Sequence, residues 1–295
     1  MKYPQNIFLI LTTKCDKRAE CKYCFYNVEP EIRTPDRLDL KSITSLIKQF
    51  KLLNIHNIYL TGGEPLLRED LEQIVSYSKD LSMNVFLLSN GRSLDSSRVK
   101  RLEKAGLDVF VLSLNDMDIL DRKTIAVVSQ FKRTYLSIIY VLTKNNISHI
   151  NDVFDLSKAL NAGLVFQPAY IPSKHYEYRT LNMSGIKSFD WSKLYTDLRT
   201  WAVDFGYEKY LELIYDYYHE KSMRPNSCLM GSDAIVIDSD GTAYPCFHRR
   251  DLICGNIFRD DVAEIFDKSI KYGEELSKAG CFGEHCISLH TNFGR

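Results

Sequence analysis

The sequence predicts an α/β fold, a partial (β/α)6 TIM barrel with a small C-terminal cysteine-rich appendage. Short apolar runs alternate six times with amphipathic segments, polar or glycine residues follow most of these runs, and no cysteine occurs between Cys24 and Cys228. Alternating strands and helices of this length specify a parallel sheet with right-handed crossovers. Six units are fewer than the eight of a closed barrel. We therefore expect an open barrel over residues 1–224 and the appendage over residues 225–295.

The barrel elements follow from the hydrophobic pattern. The predicted strands are Asn6–Thr12, Ile58–Leu60, Asn84–Leu88, Val109–Leu112, Tyr135–Leu142 and Leu164–Gln167. The predicted helices, in which apolar residues recur at helical spacing, are Leu40–Leu53, Asp70–Leu81, Asp95–Ala105 and Ile150–Leu160. Between the fourth and the fifth strand we expect only a short crossover.

The remaining elements are predicted from similar signals. A polar, tyrosine-rich loop over residues 170–185 follows the sixth strand, and two amphipathic helices are expected over residues 191–205 and 208–221. In the appendage, Asp240-Gly241 between two apolar runs predicts a β-hairpin. A last helix is predicted over Val262–Leu276.

The composition excludes several classes of function. Lys plus Arg equals Asp plus Glu, 38 each, so no strong electric field would attract nucleic acid or an anionic membrane. The N-terminus lacks the cleavage site of a signal peptide, and no apolar run is long enough to span a bilayer. We therefore expect a cytoplasmic protein without a nucleic-acid or membrane partner. In such a protein, eight cysteines indicate metal binding rather than disulfides.

Three of the cysteines lie together in the loop after the first strand. Cys15, Cys21 and Cys24 form a C-x5-C-x2-C pattern, and thiolates are good ligands for zinc or iron–sulfur clusters. Three ligands are one fewer than a closed zinc site or an ordinary four-iron cluster needs. Either a distant residue completes the set, or one metal position stays open for chemistry.

Polar motifs follow the other predicted strands. They are Gly62-Gly63-Glu64, Ser89-Asn90, Ser113 with Asn115, and Gln167. Ligands of parallel α/β sheets bind at the carboxyl ends of the strands. These motifs and the cysteine loop should therefore meet at one edge of the sheet and form the active site.

The cysteine triad, Tyr23 before its last cysteine, and the motif TGGEPLLR at 61–68 together resemble the radical S-adenosylmethionine (SAM) superfamily. The resemblance implies that the three cysteines hold a [4Fe–4S] cluster whose fourth iron binds SAM. One electron then cleaves SAM to methionine and a 5′-deoxyadenosyl radical, which abstracts a hydrogen atom from the substrate. The usual triad is C-x3-C-x2-C, so the first spacing is wider here.

The resemblance also implies a set of SAM contacts. Gly62, Gly63 and Glu64 would contact the amino end of SAM. Ser89, Ser113 and Asn115 are candidates for its ribose and carboxylate, and Phe25 and Tyr26 would lie near its adenine through backbone contacts. Tyr23 and Asn90 are further candidates for cofactor contact. For Ser89 and Ser113, the alternative is an ordinary loop serine with satisfied hydrogen bonds.

The C-terminal part resembles the twitch half of a SPASM domain, which holds an auxiliary [4Fe–4S] cluster. The features that carry this resemblance are Cys228, Cys246 with the preceding Gly241, the stretch Gly255-Asn256-Ile257, and the late pair Cys281 and Cys286. The four cysteines would ligate the auxiliary cluster. Four thiolates also suit zinc, so a zinc site is the alternative.

Cys254 is left over when seven cysteines are assigned to clusters. It is either a buried apolar residue or a catalytic thiol that returns a hydrogen atom to a substrate radical.

Three functions follow from these assignments. The first is a radical SAM oxidoreductase or maturase that modifies a peptide or natural product. The second is a dehydrogenase or epimerase of a sugar-like small molecule, with Cys254 as the hydrogen donor. The third is a non-catalytic zinc-binding α/β protein. Either enzyme would need an electron donor such as flavodoxin or ferredoxin.

Overall fold

A computed structural model describes residues 3–28, 30, 33–115, 121–171, 175–181 and 228–279, together with 196, 210, 212, 214 and 215. The two helices predicted over residues 191–205 and 208–221 lie outside these ranges, apart from isolated residues. Cys281 and Cys286 lie outside them as well.

One nine-stranded sheet organises the described chain, and its first six strands confirm the open barrel. The strands are β1 (Asn6–Ile10), β2 (Asn57–Thr61), β3 (Asn84–Ser89), β4 (Val109–Leu114), β5 (Tyr135–Leu142), β6 (Gly163–Pro168), β7 (Ala234–Ile237), β8 (Thr242–Tyr244) and β9 (Gly255–Asn256). Their order is β6-β5-β4-β3-β2-β1-β7-β8-β9. Strands β1 to β6 pair in parallel with their neighbours in chain order.

The helices lie between the strands, as the alternation predicts. They are α1 (Phe25–Val28), α2 (Leu40–Leu52), α3 (Leu71–Asp80), α4 (Ser96–Ala105), α5 (Arg122–Val128), α6 (Ile150–Leu160), α7 (Tyr178–Leu181) and α8 (Val262–Ala279). Short 3-10 turns cover Pro65–Leu67 and Ile147–His149. Where the sequence predicts only a short crossover, between β4 and β5, the structure has helix α5. Helix α5 buries only Thr124 and Val128, which is too few residues to give a helical apolar stripe in the sequence.

Side chains on β1 alternate between the two faces of the sheet. Ile7 and Leu9 belong to the large core against the helices, which we call the outer core. Phe8 and Ile10 point to the other face, where they join a smaller apolar group with Tyr26, Met230, Ala234 and Val236, which we call the inner cluster. Because successive strand residues point to opposite faces, a strand that is buried on both faces reads as a continuous apolar run.

The C-terminal segment extends the barrel sheet. Strand β7 pairs in parallel with β1, with Asn6 opposite Ala234, and β8 and β9 follow in antiparallel pairing. The predicted hairpin is confirmed between β7 and β8, where Gly241 adopts a φ of +85° that favours glycine. The division at residues 224 and 225 stays a prediction, and strands from both sides of it share one sheet.

Among the described residues, no helix combines the length and the apolar character needed to cross a membrane.

Candidate active site

The cysteine triad lies on the loop between β1 and α1, at the carboxyl end of β1. All three residues are half-buried. The backbone N–H of Lys17 donates to Cys15 Sγ at 3.4 Å, and Asn115 Nδ2, at the end of β4, lies 3.7 Å from Cys21 Sγ. The structure thus brings Asn115, which the sequence predicts as a SAM contact, next to a predicted cluster ligand.

The two glycines after β2 let its end lie directly against the cysteine loop. A Cβ on Gly63 would lie 2.1 Å from the Lys14 carbonyl oxygen, and one on Gly62, whose φ is +152°, would lie 2.5 Å from the Thr12 oxygen. Gly63 N donates to Thr12 O and Glu64 N to Lys14 O, both at 2.7 Å. Glycine is needed here because the two backbones approach so closely, and the loop that carries Cys15 is thereby fixed to β2.

Glu64 joins the ends of β2 and β3. Its side chain is fully buried, and its carboxylate accepts hydrogen bonds from Leu66 N at 2.9 Å, Ser89 Oγ at 2.7 Å and Asn90 N at 2.9 Å. Ser89 Oγ also accepts from Gly91 N at 2.9 Å. Burial raises the pKa of Glu64 to about 7, against the lowering effect of these donors. The predicted SAM contacts Glu64, Ser89 and Asn90 are therefore bonded to one another, and SAM contacts by them stay a prediction.

The five residues between Cys15 and Cys21 bind the loop after β3. Asp16 accepts hydrogen bonds from Asn90 Nδ2 at 2.9 Å and from Ser93 Oγ at 2.6 Å. Glu20 accepts two from the Arg92 guanidinium, at 2.7 and 2.6 Å. The wider spacing of the triad is thus a structured segment with its own anchors.

The aromatic residues around Cys24 point in different directions. Tyr23 packs against Ala169, Ile171 and Leu181, which follow or flank β6. The cysteine loop after β1 therefore contacts residues that follow β6, the edge strand of the sheet on that side.

Phe25 and Tyr26 turn instead toward the inner cluster, with their rings 4.1 Å apart. Burial raises the pKa of Tyr26 well above its ordinary value. Ser113, a further predicted SAM contact, is half-buried on β4, two residues before Asn115.

The loops after β6 and after Cys246 also meet. The rings of Tyr170 and His248 lie 4.2 Å apart, and Lys22 of the cysteine loop pairs with Glu177 at 3.5 Å. Tyr170 and His248 therefore bring into contact the two stretches that the sequence suggests for substrate contact, residues 170–185 and 247–250.

Two of the four predicted auxiliary-cluster ligands lie in the described chain. Cys228 and Cys246 are both half-buried and border the inner cluster, as Cys24 does. The backbone N–H of His248 donates to Cys246 Sγ at 3.4 Å. Cys24 of the triad therefore faces the same side of the sheet as Cys228 and Cys246.

Cys254 lies on the opposite side of the sheet. It is 3% exposed and packs in the outer core with Val262, Ile265 and Phe266. Burial raises the pKa of its thiol to about 12. This position favours the interpretation of Cys254 as a buried core residue, and its role as a hydrogen donor stays a prediction.

The donor set of the cysteine triad fits an iron–sulfur cluster. Burial raises the pKa of the Cys15 and Cys24 thiols, and a positive metal centre would favour their thiolate forms. Among the described residues, no three His, Cys, Asp or Glu side chains converge closely enough to hold a single metal ion. A four-iron cluster does not require such convergence, because each cysteine binds a different iron.

Several site residues have no motif that reveals them in the sequence. Asp16, Glu20 and Arg92 are charged loop residues. Asp238 and Arg250, which form a buried ion pair beside the inner cluster, stand in short polar stretches. The sequence does offer a weak signal for the first three. Two acidic residues, Asp16 and Glu20, lie between Cys15 and Cys21, and Arg92 follows strand β3. Asp238 and Arg250 depend on the pairing of β7 with β1, which no local pattern indicates.

Two family models match the chain. The model of the radical SAM superfamily matches residues 9–156, which is half of the chain. The model of SPASM, an iron–sulfur cluster-binding domain, matches residues 228–286. The first match covers the triad and the strand ends up to β5, and the second includes the four cysteines assigned to the auxiliary cluster.

The similar proteins include a curated relative and several solved structures. The chain is 25% identical over 268 residues to a PqqA peptide cyclase of Gluconobacter oxydans (strain 621H), covering 85% of this chain and 72% of that protein. It resembles Streptococcus suis SuiB bound to S-adenosylmethionine, with a TM-score of 0.63, 17% identity and 90% of this chain covered. It spans 64% of that SuiB chain.

A structure of BtrN in complex with AdoMet and 2-DOIA is also similar. Its TM-score is 0.56 at 17% identity, and the match covers 97% of this chain and 92% of BtrN. At these identities, the likeness to SuiB and to BtrN establishes the fold.

Proposed function

Because the chain belongs to the radical SAM superfamily, we propose that it is an enzyme that abstracts a hydrogen atom from a peptide and thereby matures or otherwise modifies it. The cofactors of this family and of its SPASM domain are SAM, the [4Fe–4S] cluster that binds SAM, and auxiliary iron–sulfur clusters. The observation that carries the proposal is the cysteine loop fixed to the strand end Gly62-Gly63-Glu64 by the bonds of Gly63 N and Glu64 N.

The chain's own residues would prepare this site in two ways. Cys15, Cys21 and Cys24 would hold the cluster and leave one iron open for SAM, whose electron-dependent cleavage supplies the 5′-deoxyadenosyl radical. The rigid backbone contact between the cysteine loop and β2 would hold that open position above the carboxyl ends of the strands. Tyr23 and the ring pair of Tyr170 and His248 would limit the access of water to it.

A peptide is the substrate class that the relatives favour. The curated relative is named a PqqA peptide cyclase, and SuiB has been solved bound to its precursor peptide SuiA, in a structure that matches this chain with a TM-score of 0.66. The described members of these two stretches, residues 170–185 and 247–250, among them Tyr170, Glu177, His248 and Arg249, would offer aromatic and charged side chains for peptide contacts. The product could be a cyclised, dehydrogenated or epimerised peptide. Which one forms depends on the hydrogen atom that is abstracted and on the later reaction of the peptide radical.

The test measures which molecule supplies the abstracted hydrogen. The anaerobically reconstituted protein is incubated with SAM, dithionite and deuterated peptides encoded beside its gene, and 5′-deoxyadenosine is analysed by mass spectrometry. We expect deuterium in this product with a peptide, and none of the product with Cys24→Ala. Deuterium from a sugar-like compound but from no peptide would replace the proposal with the small-molecule dehydrogenase or epimerase. Replacing dithionite by flavodoxin or ferredoxin tests the proposed electron donor.

A further inference from the structure

A buried arginine stands between the two cysteine-bearing segments. The Arg250 side chain is 7% exposed, and its Nη1 donates to Asp238 Oδ2, on a carboxylate that is fully buried. Arg250 Nε also donates to Phe247 O at 3.3 Å. Asp238 is held in turn by Ser239 N at 2.6 Å and by the Tyr26 hydroxyl at 3.5 Å. A charged pair removed this far from water persists only when its surroundings hold it in place.

Three aromatic rings surround the guanidinium. Its Cζ lies 4.9 Å from the centroid of Tyr244, 5.1 Å from that of Phe25 and 6.0 Å from that of Tyr26. A cation at these distances is attracted to the negative faces of the rings. The positive charge is therefore fixed in position by the rings as well as by Asp238.

The position of this charge relates it to both clusters. Phe25 and Tyr26 directly follow Cys24 in the chain, and Arg250 comes four residues after Cys246. Phe25, Tyr26 and Phe247 belong to or border the inner cluster, which Cys24, Cys228 and Cys246 also border. Arg250 thus contacts one segment from the SAM-cluster loop and one from the auxiliary-cluster hairpin.

One nitrogen of the Arg250 guanidinium lacks an acceptor within the described part of the chain. This nitrogen, Nη2, is buried. Buried donors of this kind are rare in folded proteins because an unmade bond leaves the cost of desolvation uncompensated. An acceptor is therefore expected near Nη2 when the site carries its cofactors.

We propose that the positive charge of Arg250 helps to set the reduction potential of the iron–sulfur clusters held by the neighbouring cysteines. The negative charge of Asp238 opposes this effect. Reduction adds one negative charge to a cluster, so a fixed cation nearby favours the reduced form and a fixed anion disfavours it. A hydrogen bond from Nη2 to a sulfur atom of a cluster would also raise the reduction potential of that cluster. This inference rests on the proposed function in that it requires both clusters to be present.

The test uses two variants with opposite expected signs. Arg250→Gln removes the cation and leaves the buried anion, so the midpoint potential of at least one cluster should fall. Asp238→Asn removes the anion with little change in side-chain shape and leaves the Arg250 cation in place. The midpoint potential of the same cluster should therefore rise. Arg250→Lys keeps the charge and should stay near the wild-type value. Redox titrations followed by electron paramagnetic resonance measure the potentials on reconstituted protein without SAM and substrate.

Arg249 provides a matched control in the neighbouring position. It is 31% exposed and pairs with the exposed Asp251 at 2.7 Å, so Arg249→Gln makes the same change in charge near solvent, where screening is strong. We expect unchanged potentials in this variant. If Arg250→Gln and Asp238→Asn leave both potentials unchanged, or shift them in the same direction, the proposal is overturned, because a purely structural role would not give opposite signs.

Iron content and thermal unfolding are measured for every variant. If Arg250→Gln does not fold or does not take up iron, the rise expected for Asp238→Asn decides alone. The absence of any cluster signal in the wild-type protein would contradict the proposed function and this inference together. Because the titration uses no substrate, a protein with clusters that acts on no peptide would overturn the peptide proposal without affecting the test of Arg250.

Discussion

At the scale of single residues, Glu64 combines full burial with three hydrogen-bond donors. Burial raises its pKa from 4.5 to about 7, so its contribution to stability is present below pH 4.5 and is lost as the pH rises through 7. The difference corresponds to about 3 kcal/mol. In urea unfolding experiments, we predict that the free energy of unfolding falls less between pH 5 and pH 8 in Glu64→Gln than in the wild type.

Glu103 is the matched control for this titration. Partial burial acts to raise its pKa, but the backbone N–H groups of Lys132, Arg133 and Thr134 lower it below the ordinary value. Its contribution to stability is therefore present above the unfolded-state pKa and is lost as the pH falls through the folded-state pKa, the opposite sign to Glu64. A wild-type pH dependence that persists unchanged in Glu64→Gln would contradict the role assigned to Glu64.

Cys254 and Cys24 lie on opposite faces of the sheet and should differ in their effect on iron binding. Cys254 is buried in the outer core, on the side of the sheet opposite Cys24, Cys228 and Cys246. We predict that Cys254→Ala lowers the free energy of unfolding by about 1 kcal/mol and keeps the iron content and the cleavage of SAM. Cys24→Ala should lose both. A Cys254→Ala protein that cleaves SAM normally but no longer inverts a stereocentre of its product would support the hydrogen-donor role.

At the scale of elements, the contact between the end of β2 and the cysteine loop depends on Gly63. A Cβ there would lie 2.1 Å from the backbone oxygen of Lys14, so Gly63→Ala must separate the strand from the loop and break the bonds to Thr12 and Lys14. Two lost hydrogen bonds cost about 1 kcal/mol each. We predict that iron uptake and the formation of 5′-deoxyadenosine fall strongly in this variant, measured after anaerobic reconstitution.

Gly106 separates the effect on the site from the effect on stability. It ends α4 with a φ of +91°, and a Cβ there would meet the flexible side chain of Lys79 at 3.0 Å. Gly106→Ala should therefore lower the free energy of unfolding by a similar amount, about 1–2 kcal/mol. Gly106 precedes β4 and so lies at the opposite end of the strands from the cysteine loop. If both variants lose iron equally, the close backbone contact at Gly63 has no specific role in the site.

The same elements indicate how far the sequence predicts this structure. The bounds of β5 and α6 match the prediction, Tyr135–Leu142 and Ile150–Leu160, because their apolar residues follow one period throughout. The cysteine loop and Gly62-Gly63-Glu64 could be assigned to one edge because parallel strands place their carboxyl ends together. The bond between Tyr26 and Asp238 joins residues 212 positions apart, and no local pattern encodes such a pair.

At the scale of the whole molecule, the pairing of β7 with β1 joins the two parts that the sequence suggests as separate domains. Sequence patterns identify strands but do not say which edge a distant strand will extend. Here β7 covers the edge of β1 and supplies Ala234 and Val236 to the inner cluster. The C-terminal segment therefore completes the core beneath the cysteine loop, in addition to carrying its own cysteines.

This continuity predicts how the molecule unfolds. Removing residues 225–295 would leave β1 as an exposed edge strand and uncover Phe8, Ile10 and Tyr26, which pack in the inner cluster. Exposed apolar edges of this kind favour aggregation. We predict that a chain of residues 1–224 elutes as aggregates in size-exclusion chromatography, and that the full chain unfolds in one calorimetric transition. A monomeric 1–224 with intact secondary structure, or two separate transitions in the full chain, would instead establish two independently stable domains.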